Sequence, residues 1–338
     1  MLGDTHLACK NGSVIFAKHQ QKFFDNVLLP FVQQYNYPIF QLGDLFDQRK
    51  FINFAGLETA TSGFLDKLPK STIMNVLIGN HDIYYKESLK VNAPSLLLKH
   101  YTNINVITSP TTIDGIDVIP WITDENRSNI QQFIENSTSK ICCGHFEIAG
   151  FSMQRGIPSH GGLDTKMFNK YKLVLSGHYH TRSTIGNITY VGTPYELTWS
   201  DYRDQKGFHV LDTETLELEF IENPYTLYNS FIYNDIESFN ISDIDEDQVF
   251  EKYIKIIVAN KTDYFKFDQF VAKIQSYNPY DIKIIENFSS KPLGEINEEI
   301  HLQDTLSVLD SYVDSMQLTD VNDIKIYMRN LYTQALDL

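Results

Sequence analysis

Apolar positions recur along the chain with two different periods, and the alternation between them outlines the fold. Residues 13–34, SVIFAKHQQKFFDNVLLPFVQQ, carry apolar side chains at helical spacing and predict a helix that Pro30 kinks or splits. Short apolar runs predict buried strands at 38–42, in STIMNVLIGNHD up to Gly79, at 104–107, at 116–120, in KICCGH and in KLVLSGHYH. Between them, 51–67, 92–100 and 124–136 read as helices. NITYVGTPYE, KGFHVLD and ELEFIE continue as sheet, and Asn223-Pro224 closes this portion. The texture then changes. YIKIIVA, YFKFDQFVAKIQS and DIKIIE predict a small strand–helix–strand module, SSKPLG a linker, and 302–336 two amphipathic helical patterns.

The strand ends share one grammar: an apolar run, a glycine, then residue types that bind metals. It occurs at Gly43-Asp44, at Gly79-Asn80-His81-Asp82, at Gly144-His145 and at Gly177-His178-Tyr179-His180, with Gly3-Asp4-Thr5-His6 at the start. Five of the ten histidines stand in these turns. Sites in open α/β sheets form at the carboxyl ends of strands, so the five turns can converge on one cleft. In an extended chain His178 and His180 share a side and Tyr179 turns away. Paired neutral imidazoles suit a divalent metal. One such motif is weak; the ordered set of five is not.

Composition narrows the class. A chain of 338 residues suggests about two domains, and 42% hydrophobic with 21% charged residues is ordinary for a soluble globular protein. No apolar run is long enough to span a membrane, and no basic-then-apolar leader precedes Gly3, so a cytoplasmic location is expected. Cys9, Cys142 and Cys143 read as reduced core residues. The net charge of −15 is uneven. Residues 1–225 hold 19 basic against 23 acidic side chains, and residues 226–338 hold 9 against 20. Non-specific nucleic-acid binding by the last third is thereby disfavoured.

In order, D-x-H, G-D-x-x-D, G-N-H-D, G-H and G-H-x-H resemble the calcineurin-like metallophosphoesterase superfamily over residues 3–195. GHFEIAGFSMQRGIPSHGGLD and SGHYHTRSTIGNITYVGTPYELTWSDY are similar to its SbcD-type DNA-repair nuclease branch, to about Pro224. The resemblance implies an α/β fold, a β-sandwich flanked by helices, with a small α+β capping domain and C-terminal helices. It implies a nuclease domain over 1–225, a DNA-capping domain over 226–288, and a linker with ATPase-binding helices over 289–338. It also implies two divalent metals, Mn2+ by the family's usual preference, with Mg2+ an alternative. Asp4, His6 and His180 would complete one site and Asn80, His145 and His178 the other, with Asp44 bridging. Two metals clamp the attacking and leaving oxygens of a displacement at phosphorus. His81 would stabilise the transition state or protonate the leaving oxygen, and Asp47 would orient a neighbour. Only Met1 and Leu2 precede Gly3 where the family has a full strand, so Asp4 and His6 are expected on a weakly anchored segment.

By the same resemblance the partners are DNA and an SbcC-type, SMC-like ATPase, with homodimerisation through helices at 51–66 and 88–100. Phosphate contacts are expected from Arg49, Lys50, Arg155, Arg182 and Arg203, with Tyr179 and Tyr195 as stacking groups and Trp199 and Tyr202 as packing. Two alternatives stay open. GDLFDQR suggests a serine/threonine-phosphatase-like phosphomonoesterase, though that group has Arg-Gly where this chain has Gln-Arg. The other is a catalytically weak scaffold.

Overall fold

The structure is a computed structural model and describes residues 1–154, 157–158, 161–236, 241–286, 313 and 324–328. The chain divides into two units, the first holding Met1–Asn229, Gln248–Tyr253 and Pro279–Asp281. Its centre is a sandwich of two sheets. One is parallel, with Met74–Leu77 between Ile39–Gln41 and Ile104–Ile107. The other has six strands: Ser183–Ile185, Ile188–Tyr190, Leu173–Gly177, Ile141–His145, Ile116–Ile119 and Thr111–Ile113, in that spatial order. Its inner four run parallel and each edge strand is antiparallel to its neighbour.

The period of two sorts the strand residues into layers. Phe40, Leu42, Leu77, Ile107, Ile116, Val118, Ile141, Cys143 and Leu175 form the core between the sheets. Their neighbours Cys142, Val174 and Ile119 face outward into a second core with Ile130 and Ile134 of the helix Arg127–Asn136. A third core packs Met74, Val76 and Ile104 against Phe23, Phe24, Leu28 and Phe64 of the helical layer. All three cysteines are buried and free.

Four expectations are corrected. The segment around Met1 is well anchored: the Leu2 N–H donates to the Phe40 carbonyl at 2.9 Å, and the Leu42 N–H to the Leu2 carbonyl at 2.9 Å. Leu2 and Leu7 pair in parallel with Gln41 and Phe46, and each is only 1% exposed. The helix over 13–34 is continuous but irregular. A π turn, Phe24–Leu28, joins Val14–Phe23 to Leu29–Tyr35. Pro30 cannot bond the carbonyl of Asn26 and crowds it, so the irregularity falls one turn before the proline. Residues 88–100 are not one helix. Ser88–Asn92 is a strand paired with Ile83–Tyr85, and only Ala93–Leu97 is helical. Asn92 accepts the Ser95 N–H and Pro94 sits in the first turn, which start the helix there. The helix within 51–66 is Phe54–Gly63, capped by Asn53. The expected strand–helix–strand module gains a strand that polar Asn229 and Ser230 conceal, Tyr228–Asn234, paired with Tyr253–Asn260.

In that module Asp281–Glu286 completes a three-stranded sheet. Ile254, Ile256 and Val258 are buried at alternate positions. The helix Tyr264–Ser276 is capped by Asp263 and buries Phe267, Phe270 and Ile274, with both phenylalanine rings packed on Tyr233. The amphipathic patterns at 302–336 lie outside the described residues, apart from helical positions at 313 and 324–328.

Candidate metal centre

All five turns meet at one end of the first unit's strands. Ile141–His145 carries His145 as its last residue, and Leu173–Gly177 delivers His178 in the next position. Three of the converging residues adopt left-handed backbone, His6 at φ 41°, Asp44 at 52° and His178 at 89°. Residues other than glycine take that conformation uncommonly, and here it redirects three site residues at the strand ends. Gly79 explains the glycine rule directly. A Cβ there would stand 2.2 Å from Asp44 Oδ1.

The functional groups fall into two clusters of three: Asp4, His6 and His180, and Asp44, His145 and His178. In the first, His6 Nε2 and His180 Nε2 are 3.1 Å apart, and Asp4 Oδ2 is 3.9 Å from His180 Nε2. In the second, Asp44 Oδ2 is 3.3 Å from His145 Nε2. Asn80 Oδ1 lies 2.9 Å from His145 Nε2 and 3.0 Å from His178 Nδ1. Asp44 Oδ2 also lies 4.0 Å from His6 Nε2, so one carboxylate reaches toward both clusters.

Groups around these atoms fix their orientation. The His145 Nδ1–H donates to the Leu42 carbonyl at 2.7 Å, which leaves Nε2 free to ligate. His6 Nδ1 is 3.3 Å from Asp47 Oδ1. The His81 Nδ1–H donates to the Asp47 carbonyl at 2.8 Å, leaving His81 Nε2 as the available nitrogen. Asp4 accepts the His178 N–H on both oxygens, at 3.0 and 2.9 Å, and Asp44 Oδ1 accepts the His81 N–H at 2.8 Å.

The donor set fits two divalent cations. Two nitrogens each about 2.1 Å from one ion and at right angles lie about 3 Å apart, the spacing of His6 and His180. Four imidazoles with two carboxylates and an amide oxygen suit borderline divalent ions. The charges agree. Burial alone would raise Asp44, yet His145, His81 and His6 hold its carboxyl well below the usual range. Burial pushes Asp4 up to about 6 against the pull of His145. Burial opposes protonation of His6 and His145, but Asp47, Asp44 and Asp4 raise the first to about 9, and Asp44 and Asp4 the second to about 9. The carboxylates thus draw positive charge, which protons or metal ions supply interchangeably.

The anticipated contact residues fare differently. Lys50 is exposed and Arg49 half-buried. Arg182 stacks 3.9 Å from the Phe220 ring centroid and bonds Gln205. Arg203 lies over Tyr202, and Arg155 lies outside the described residues. Tyr179 and Tyr195 are corrected. Both are buried, Tyr179 against Tyr190, and Tyr195 against Phe23 with its hydroxyl donating to the Thr5 carbonyl, so neither offers a stacking face. Trp199 and Tyr202 pack against the core.

Two supporting residues carried no motif, and a third, within G-N-H-D, supports the site in an unforeseen way. Trp121 packs beside His145 and His178, at ring centroid distances of 5.7 and 5.3 Å. Buried Gln41 donates to the Gly43 carbonyl at 2.6 Å. Asp82 accepts the N–H groups of Gly79, Leu45 and Phe46 and so ties two of the turns together.

This fold, with its two abutting clusters at the strand ends, is that of a metal-dependent phosphoesterase. The calcineurin-like phosphoesterase family model matches residues 1–182, and the chain belongs to that family. It is similar to Exonuclease subunit 1 of Enterobacteria phage T4, with 32% identity over 303 residues, 87% of this chain and 86% of that one. It is also similar to the SbcD component of the nuclease SbcCD of Staphylococcus epidermidis, with 28% identity over 160 residues, 45% of this chain and 40% of that one.

Proposed function

We propose that this chain is the metal-dependent DNA nuclease subunit of a recombination or repair complex, hydrolysing phosphodiester bonds at duplex ends and within single strands. The observation that carries the reading is the reach of Asp44 toward both clusters, 3.3 Å from His145 and 4.0 Å from His6. The T4 exonuclease subunit, similar along most of this chain, supports a nucleic acid as the substrate. When bound, two divalent ions, Mn2+ foremost, supply Lewis acidity at phosphorus and acidify the attacking water. Asp4, His6, Asp44 and His180 would hold one ion, and Asp44, Asn80, His145 and His178 the other. His81, pinned through Nδ1 to the Asp47 carbonyl, presents Nε2 to the phosphoryl group or leaving oxygen. Asp47 holds the rings of both His6 and His81 in place.

The partner is an SbcC-type ATPase, engaged by residues 289–338, and residues 226–288 cap the DNA. Two copies pair through residues 51–66 and 88–100, a reading supported by the exposure of Phe51, Phe54 and Leu96. The chain acts on DNA in the host cytoplasm. No helix among the described residues is long and apolar enough to cross a membrane.

The test is a Mn2+-dependent assay on linear duplex and single-stranded DNA, with metal content measured alongside. Asp44→Ala should lose cleavage and metal together. His81→Ala should lose cleavage and keep both ions. Wild-type protein that binds two ions and hydrolyses a phosphopeptide but no DNA would sink the nuclease reading.

A further inference from the structure

Outside the cluster, one buried ion sits where a catalytic site has no evident use for it. Lys206 is 3% exposed, and an ammonium in such a place is costly unless every donor is satisfied. Its Nζ contacts Asp201 Oδ1 at 2.7 Å, Asp204 Oδ2 at 2.8 Å and the main-chain carbonyl of His180 at 2.8 Å. An ammonium has three N–H donors, and these three acceptors use them all. Lys206 therefore has no donor left for a phosphate or a leaving group.

The carbonyl it holds belongs to the most weakly supported ligand of the first cluster. The His180 side chain is 34% exposed, against 4% for His6 and 1% for Asp4. His145 and His6 have partners for their second ring nitrogen, Leu42 and Asp47. Among the described residues His180 Nδ1 has no hydrogen-bond partner. Apart from the contact of its Nε2 with His6, the ring is placed through its backbone. Three donors fix that backbone at the carbonyl: the Thr193 N–H at 3.1 Å, the Thr193 hydroxyl at 3.5 Å and, shortest of the three, Lys206 Nζ at 2.8 Å. The Lys206 anchor is itself built in. Asp201 uses Oδ2 to accept the Leu197 and Thr198 N–H groups, both at 2.9 Å, and gives Oδ1 to the lysine.

We propose that Lys206 is a positioning residue of the first metal site, which sets His180 for ligation by holding its carbonyl oxygen. The inference rests on the two-metal reading and not on DNA as substrate. Groups that orient a ligand are worth about 10–100-fold in metal affinity. Removing Lys206 should weaken one ion by that factor and leave the ion held by Asp44, Asn80, His145 and His178 unchanged.

Mn2+ titration followed by calorimetry and by the electron-paramagnetic-resonance signal of free ion tests this in the full chain. Wild type should bind two ions. Lys206→Met should bind one with wild-type affinity and one about 10–100-fold more weakly. His180→Ala should weaken the same ion, and the double variant should be no worse than His180→Ala, since both changes act on one ligand. Circular dichroism melts separate this from general destabilisation, which lowers Tm without singling out an ion. Lys206→Gln, which keeps a hydrogen-bonding end, replaces Lys206→Met if that variant does not fold. A folded variant that binds both ions as wild type does, or weakens both equally, overturns the proposal. A wild-type chain that binds no ion overturns the two-metal reading along with it, whereas two ions bound without DNA cleavage leave it standing.

Discussion

Gly79→Ala offers a sharp test of how the centre is built, because the substitution adds one methyl group and nothing else. Gly79 does not sit at positive φ, so alanine meets no backbone penalty there and would gain about 0.4–1 kcal/mol through the unfolded chain. Sterics oppose it. The new Cβ would lie 2.2 Å from Asp44 Oδ1, 2.3 Å from Asp44 N and 2.9 Å from Asp44 Cγ. Ordinary nonbonded separations are about 3.5 Å, so Asp44 must yield by about 1 Å. It cannot do so freely, since its Oδ1 accepts the His81 N–H at 2.8 Å and its Oδ2 faces His145 at 3.3 Å. Overpacking of this kind costs about 1–3 kcal/mol of stability, and a misplacement of about 1 Å costs on the order of 100-fold in rate. The expected result is a folded protein with a modestly lowered Tm, impaired binding of both ions and cleavage reduced about 100-fold. Gly115→Ala is the control. That residue has φ +79° and nothing within 4 Å of the added methyl group, so strain should lower stability by about 1 kcal/mol with metal binding intact. Gly79→Ala with wild-type metal affinity and cleavage would refute the claim that Asp44 is wedged between the two clusters.

Asp82→Ala should destabilise the chain by about 3 kcal/mol or more in urea titrations, because three buried N–H groups lose their acceptor, while Asp82→Asn should recover part of the loss. Glu196 accepts the Leu227 and Tyr228 N–H groups, and burial pushes its carboxyl up from 4.5 to about 7. The folded chain then holds that proton more tightly than the unfolded chain, so the contribution is intact below about pH 4.5 and is lost as pH rises through 7. Glu196→Gln should therefore gain on wild type by about 3 kcal/mol between pH 5 and pH 8, and a gap that does not change with pH would contradict this. Lys50→Ala should weaken DNA binding uniformly across sequences and reduce the salt slope by about one, measured by fluorescence anisotropy from 50 to 200 mM salt.

The order of the five strand-end turns is legible in the sequence because each is a local word: an apolar run, a glycine and a ligand type. The strands that deliver them are legible for the same reason, as with Ile141–His145, whose alternate residues enter two separate cores. What escapes is set by contacts between distant segments. Tyr179 and Tyr195 look available to bases because an aromatic residue near a ligand reads the same whether it faces solvent or the core. Gln41, Trp121 and Lys206 escape for the complementary reason. Gln41 reaches the Gly3 carbonyl 38 residues away, Trp121 and Lys206 have partners 24 or more and 26 residues away, and no spacing links a buried lysine to the carbonyl of a histidine. The segment around Met1 is firmer than its length suggests. Two residues make no strand in their own right, and their stability comes from hydrogen bonds to Phe40 and Leu42.

The backbone of the ligands is the least legible feature and explains the most. A regular strand would send His178 and His180, two positions apart, to one place on the same face. Leaving the strand separates them. The sheet ends at Gly177, His178 takes φ 89°, and the two imidazoles then serve different clusters, His178 beside Asn80 and His180 beside His6. Asp44 and His6, also at positive φ, turn in the same manner after Gly43 and Thr5. Such conformations cost about 1–3 kcal/mol each and persist where surrounding bonds over-determine them. Asp4 over-determines His178 by accepting its N–H on both oxygens, and Asp44 does the same for the turn of His81. The carboxylates thus have two uses, as candidate ligand atoms and as acceptors that hold the backbone of a neighbouring site residue. Exchanging Asp4 would remove a charge from one cluster and release the turn that carries His178 in the other, whereas exchanging Asp44 would release the turn of Asn80 and His81 beside its own cluster, so it is Asp4 that ties the two clusters together.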